Sequence, residues 1–147
     1  MSEHSTLSFD TRLGFLGAGS IVEAMLAGIL KNELIAPERI FVANRSDQAR
    51  LRHLAETFGV NACEDKAALV EQSDILILAM KPKDAPDACR SLRGLVRPDQ
   101  LVISVVAGVS TACISDWLGT NGPIVRTMPN TSSAVGLSVT GLSANNA

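Results

Sequence analysis

Gly17 and Gly19 stand in the run Gly17-Ala18-Gly19-Ser20-Ile21-Val22, directly after Leu13-Gly14-Phe15-Leu16. Glycine permits a tight turn and a close approach of backbone to ligand, and a helix that starts there turns free N–H groups and the positive end of its dipole toward an anion. Two of the three glycines of the G-x-G-x-x-G dinucleotide fingerprint are present, and Val22 stands at the third. The expectation is a cradle for a diphosphate, with Val22 holding the first helix slightly farther from its strand.

A second stretch, Asn44-Arg45-Ser46, closes the next apolar run. A carboxylate here would bind the ribose 2′-hydroxyl of NAD(H). Arg45 instead offers forked donors suited to a 2′-phosphate and Ser46 adds a hydroxyl, so NADP(H) is expected over NAD(H). An Arg45 that points into solvent is the alternative. Three further segments follow apolar runs: Ala79 to Pro82, Val105 to Gly108 and Met128 to Thr131. Ligands of open α/β sheets lie beyond the carboxyl ends of strands, so these loops are expected to line one crevice. Lys81 also reads as a solvated lysine, and Pro129-Asn130-Thr131 as a plain turn.

The elements that must position these residues alternate from Leu13 onward. Leu13 to Leu16 reads as a strand; Ile21, Met25 and Ile29 with Val22, Leu26 and Leu30 repeat at helical spacing. Pro37 to Arg39 breaks the pattern before a strand over Ile40 to Ala43. Ser46 is expected to cap a helix with Leu51, Leu54, Ala55 and Phe58 on one face, closed by Gly59. A weak strand over Val60 to Cys63 and a short helix over Ala67 to Val70 lead to Ile75 to Met80, apolar throughout and suited to a strand buried on both faces.

A helix over Asp84 to Leu92, a buried strand over Leu101 to Val106 and a helix from Ser110 or Thr111 to Leu118 follow. Ile124 to Thr127 reads as a strand ended by Pro129, and Gly136 to Leu142 as a last one. This order predicts an α/β fold: a Rossmann-type, doubly wound, mostly parallel sheet with helices on both faces. Met1 to Arg12 reads as a disordered arm, and residues 13–147 as one dinucleotide-binding domain.

With 147 residues, the chain is large enough for a single core. Its 13 basic and 15 acidic residues are interspersed, which argues against a nucleic-acid or membrane-surface partner and for a small molecule. No apolar run approaches the roughly 20 residues of a membrane span. Cys63, Cys89 and Cys113 are odd in number and far apart, against disulfides or a zinc site, and each reads as a small buried hydrophobe in a reducing cytoplasm. His53 reads as a solvated side chain on a surface helix.

Taken in order, Gly14-Phe15-Leu16-Gly17-Ala18-Gly19 with Glu23-Ala24-Met25, Ala79-Met80-Lys81-Pro82, Ala107-Gly108-Val109 and Met128-Pro129-Asn130-Thr131 resemble the pyrroline-5-carboxylate reductases over Leu13 to Leu142. The resemblance implies reduction of a cyclic imine to proline with NAD(P)H, in proline biosynthesis. It implies cofactor contacts at Leu16, Gly17, Ala18, Gly19, Ser20, Ile21, Ser46, Ala79, Met80, Lys81, Pro82, Val105, Val106 and Ala107, and a nicotinamide or substrate end at Pro129, Asn130 and Thr131. Asp65 departs from an asparagine common in that family. Members continue into a helical C-terminal domain that dimerises, contributes most substrate contacts and carries the proton-donating hydroxyl. The resemblance implies that these 147 residues lack it and are monomeric or weakly associated. A non-catalytic dinucleotide-binding or regulatory module, or another Rossmann imine or hydroxyacid reductase, stays open as an alternative.

Overall fold

The computed structural model describes residues 11–44, 47–130 and 138–144, with residues 128–130 and 138–144 described by their backbone. Strand and helix alternate as β1 (Leu13–Leu16), α1 (Ser20–Lys31), β2 (Ile40–Ala43), α2 (Gln48–Phe58), β3 (Asn61–Cys63), α3 (Lys66–Gln72), β4 (Ile75–Leu78), α4 (Ala85–Ser91), β5 (Leu101–Ser104), α5 (Thr111–Leu118), β6 (Ile124–Asn130) and β7 (Ser138–Ala144). They form one sheet in the order β3-β2-β1-β4-β5-β6-β7. The first six strands run parallel and β7 pairs antiparallel with β6.

Both faces of the sheet are covered, as the expected doubly wound fold requires. On one face α1 and α2 place Val22, Met25, Leu26, Ile29, Leu51 and Leu54 against Leu13, Phe15, Ile40, Val42 and Ile77. On the other, α3, α4 and α5 place Leu69, Val70, Ala85, Cys89, Ile114 and Leu118 against Leu16, Leu76, Leu78, Val102 and Ile124. Consecutive strand residues feed opposite cores, so β1 is buried along its whole length. Each large aliphatic side chain so enclosed contributes about 2 kcal/mol relative to exposure.

Short polar side chains set the helix starts. Asp47 accepts from the Arg50 N–H, Asp65 from the Ala67 N–H and Ser110 from the Cys113 N–H. Gly59 and Gly119, at φ 74° and 67°, end α2 and α5 in the left-handed region.

Several expectations are corrected. The cap of α2 is Asp47, one residue after the expected Ser46. Arg12 is no arm residue: its N–H donates to the Asp74 carboxylate at 2.8 Å, and its carbonyl accepts from the Asp74 and Ile75 N–H groups, which seats β1 beside β4. Met1 to Asp10 lie outside the described residues. Pro129 does not end β6, which runs on to Asn130. Past Arg126 the strand has no β5 partner, so the proline stands where one edge is open and its missing N–H costs no ladder bond on that side. The last strand lies two residues later than expected, and residues 131–137 are outside the described set.

Val22 is wholly enclosed in the core. A close approach of helix end to strand falls at Gly14, where a Cβ would come 1.9 Å from Ser73 Oγ at the end of α3. Of the three thiols only Cys89 is buried; Cys63 is half-buried and Cys113 exposed on α5. Burial pushes the Cys89 thiol up to about 11 and raises Cys63 as well, the latter aided by the nearby Asp65 charge.

Candidate functional site

The strand order reverses between β1 and β4. The chain leaves β1 toward β2 on one side and returns to β4 on the other, so the loops behind these neighbours diverge and leave a crevice at their carboxyl ends. It is a cleft of about 850 Å³, lined by Leu16, Gly17, Ala18, Gly19, Asn44, Asp47, Arg50, Lys66, Ala79, Met80, Lys81, Lys83, Asp84, Asp87 and Ala88.

The two glycines of the turn serve different ends. Gly17 has φ 124°, its N–H donates to the Ala43 carbonyl at 2.8 Å, and a Cβ there would lie 2.7 Å from the Ala79 carbonyl oxygen. The chain therefore leaves β1 squeezed between β2 and β4, where only glycine fits. At Gly19, φ is −83° and an added Cβ would meet nothing within 4 Å. Its bare face keeps space open at the start of α1. Gly19 brings no side-chain cap, so the first-turn N–H groups of α1 stay available to an anion or to water.

The β2–α2 loop forms the next wall. Asn44 Nδ2 donates to the Asp47 carbonyl at 3.0 Å, folding the loop back on itself. From α2, Arg50 Nε donates to the Ala18 carbonyl at 2.6 Å, and its Nη2 donates to Glu23 Oε1 at 2.5 Å. Across the cleft, Lys66 Nζ donates to Ser91 Oγ at 3.0 Å, and the exposed Lys81 and Lys83 stand near Asp84 and Asp87 on the β4–α4 side.

Of the residues expected at a cofactor site, the cleft brings together Leu16, Gly17, Ala18, Gly19, Asn44, Ala79, Met80 and Lys81. Ser20, exposed, and Ile21, half-buried, sit one step away in the first turn of α1. Pro82 starts a short 3-10 turn, Pro82–Asp84. Val105 and Val106 pack into the two opposite cores, and the exposed Ala107 follows them; none of the three lines the cleft. Pro129 and Asn130 end β6, while Arg45, Ser46 and Thr131 fall outside the described residues.

Sequence reasoning missed Asp47, Arg50, Lys66, Lys83, Asp84 and Asp87. For Arg50 a signal existed: a cation in the first turn of a helix opposes the dipole, so it needs another partner to settle there. The others are short-range features of surface type that spacing alone does not single out.

The model of a family described as "NADP oxidoreductase coenzyme F420-dependent" matches residues 12–108. Pyrroline-5-carboxylate reductase 2 of Bacillus subtilis (strain 168) is 46% identical over 132 residues, 90% of this chain and 47% of that protein. The solved structure of a pyrroline-5-carboxylate reductase from Coxiella burnetii superposes with TM-score 0.82 at 34% identity, covering 93% of this chain and 50% of that one. That of Plasmodium falciparum pyrroline carboxylate reductase with NADP bound gives 0.81 at 25% identity, over 95% and 50%. The chain spans about half the length of the curated relatives it matches. Among the described residues no helix is long and apolar enough to cross a membrane. On these matches the chain belongs to the family so described and, over the half it shares with them, to the pyrroline-5-carboxylate reductases.

Proposed function

We propose that this chain is the NADP(H)-binding domain of a pyrroline-5-carboxylate reductase, an oxidoreductase that converts 1-pyrroline-5-carboxylate to proline in proline biosynthesis. The observation that carries the reading is the glycine turn at the β1–β4 reversal, with Gly17 forced by its neighbours and Gly19 left bare beside the cleft. A dinucleotide fits this ground: the diphosphate at the start of α1, the adenosine half toward Asn44, Arg45 and Ser46, the nicotinamide half toward Ala79 to Pro82.

When bound, the reduced nicotinamide supplies a hydride to the imine carbon. The residues of this chain hold and orient. The first-turn N–H groups of α1 receive the diphosphate; Arg45 with Ser46 reads the 2′-phosphate; Lys81 and the end of β6, Pro129 and Asn130 with Thr131, border the nicotinamide and the imine. Positioning of two rings at reacting distance is the main contribution such a domain makes. The free thiols support a reducing, cytoplasmic setting, and taken alone the domain is read as monomeric or weakly associated, which light scattering tests.

Titration with NADPH and NADH tests the cofactor assignment. The wild-type chain is expected to bind NADPH more tightly, and Arg45→Ala to bring NADPH down to the level of NADH while NADH is unchanged. Equal affinities before the substitution would remove the role given to Arg45. Turnover of cyclic imines and hydroxyacids, measured side by side at high protein concentration, tests the reaction; a preference for hydroxyacids overturns the substrate.

A further inference from the structure

Arg50 is the third residue of α2, yet its guanidinium leaves that helix and reaches the glycine turn. Two bonds hold it there, Nε to the Ala18 carbonyl and Nη2 to the Glu23 carboxylate in the first turn of α1. The side chain is 28% exposed and that of Glu23 41%, so the pair is shielded more than an ordinary surface pair. The forked, planar guanidinium suits two acceptors at fixed separation, which a lysine cannot serve.

Holding the Ala18 carbonyl has a geometric effect. Among the described residues every peptide is trans, and in a planar trans peptide the carbonyl and the following N–H point in opposite directions. Fixing one fixes the other. The bond from Arg50 thereby sets the direction of the Gly19 N–H, and with the ion pair it ties α1, the turn and the start of α2 together.

Resting on the reading of the cleft as a dinucleotide site, we propose that Arg50 is a positioning residue: it latches the 18–19 peptide so that the turn is preorganised for a diphosphate, whatever the 2′ substituent. Its partner Glu23 is part of the latch. This role differs from that of Arg45, which discriminates between the two dinucleotides.

Titrations of the 147-residue chain with NADPH and with NADH test the inference, using wild type, Arg50→Met, Arg50→Lys and Glu23→Gln, with thermal melting as a check on folding. Arg50→Met is expected to weaken both ligands by the same factor, on the order of tenfold. Arg50→Lys keeps the charge and lacks the fork, so it stays several-fold weak toward both. Glu23→Gln separates latch from field: removing a negative charge beside an anionic ligand would tighten binding if charge alone acted, whereas loss of the latch weakens it for both dinucleotides.

Full recovery in Arg50→Lys, tighter binding in Glu23→Gln, a loss confined to NADPH, or unchanged affinity with only a lowered melting point each overturns the latch. Should Arg50→Met not fold, the lysine and glutamine variants decide. A wild type with no affinity for either dinucleotide at millimolar ligand overturns the underlying site and the latch together; wild-type binding matched by the variants overturns the latch alone.

Discussion

The Ala79 carbonyl oxygen stands 2.7 Å from where a Cβ on Gly17 would be, while Gly17 itself sits at φ 124°. The first glycine of the turn is thus a requirement of the sheet, whereas Gly19 has open space where a Cβ would stand, and only the proposed ligand site calls for glycine there. Gly17→Ala is expected to destabilise the domain by roughly 3 kcal/mol or more, since both backbone strain and overlap with β4 must be relieved. Gly19→Ala is expected to fold, within about 1 kcal/mol of wild type, and to lose dinucleotide affinity by tenfold or more because its methyl enters the space a ligand backbone needs. Chemical unfolding and ligand titration on the two variants separate the effects; a well-folded Gly17→Ala would contradict the first.

Gly14 and Ser73 make a second close pair. Ser73 is fully buried and its Oγ donates to the Leu69 carbonyl at 2.6 Å, so it cannot easily swing away from a Cβ at position 14. Gly14→Ala is expected to cost about 1–3 kcal/mol, the usual range for an overfilled core. The double variant with Ser73→Ala should recover part of that loss, because the nearest clashing atom is gone. Strict additivity in unfolding measurements would argue that the two sites are not in contact.

Gln100 is buried with its amide fully engaged: Nε2 donates to the carbonyls of Val70 and Ser73, both at 2.7 Å, and Oε1 accepts from the Arg97 N–H at 2.6 Å. It closes the carboxyl end of α3 against the turn before β5. Gln100→Leu has similar bulk and strands the Ser73 carbonyl and the Arg97 N–H, while the Val70 carbonyl keeps its bond from the Ser73 N–H; a loss of about 2–4 kcal/mol is expected in denaturant unfolding. A variant as stable as wild type would mean that water replaces the amide.

Thiol labelling at pH 8 is expected to rank Cys113 first, Cys63 slower and Cys89 last. Exposure sets the first. A raised pKa leaves less thiolate at a given pH, so Cys63 should speed up as pH climbs through and beyond the ordinary thiol value of 9.0, and Cys89, raised to about 11, should label only on unfolding. By linkage, protonated Cys89 favours the folded state fully below pH 9 and less and less as pH rises toward 11. Rapid labelling of Cys89 in the native protein at pH 8 would contradict its burial.

The alternation of strands and helices was legible because the central strands are short, largely apolar runs and most helices carry their own cap or terminating glycine. Ser46 and Asp47 were harder: either can cap, and which one does depends on where the backbone leaves β2. Pro129 misled because a proline that is excluded from a paired strand is tolerated where one side lacks a neighbour, and pairing is a property of the sheet, not of the residue. The cleft wall from Leu16 to Gly19 and from Ala79 to Lys81 was legible through glycine and through its place after strands. Arg50 showed only that it needed a partner; which partner was not legible, since Ala18 and Glu23 lie 32 and 27 residues away and only the fold brings them within reach.

The position of β1 in the middle of the sheet has a consequence for how the chain folds. Leu13 pairs with Ile40 on one side and with Ile75 on the other, partners 27 and 62 residues away (40 − 13 and 75 − 13). During synthesis the first half therefore emerges with one edge of β1 a row of unpaired N–H and C=O groups until β4 arrives, a state prone to pair with other nascent chains. Closing that long loop is expected to slow assembly of the domain, and a helper that shields the open edge is expected to raise its soluble yield.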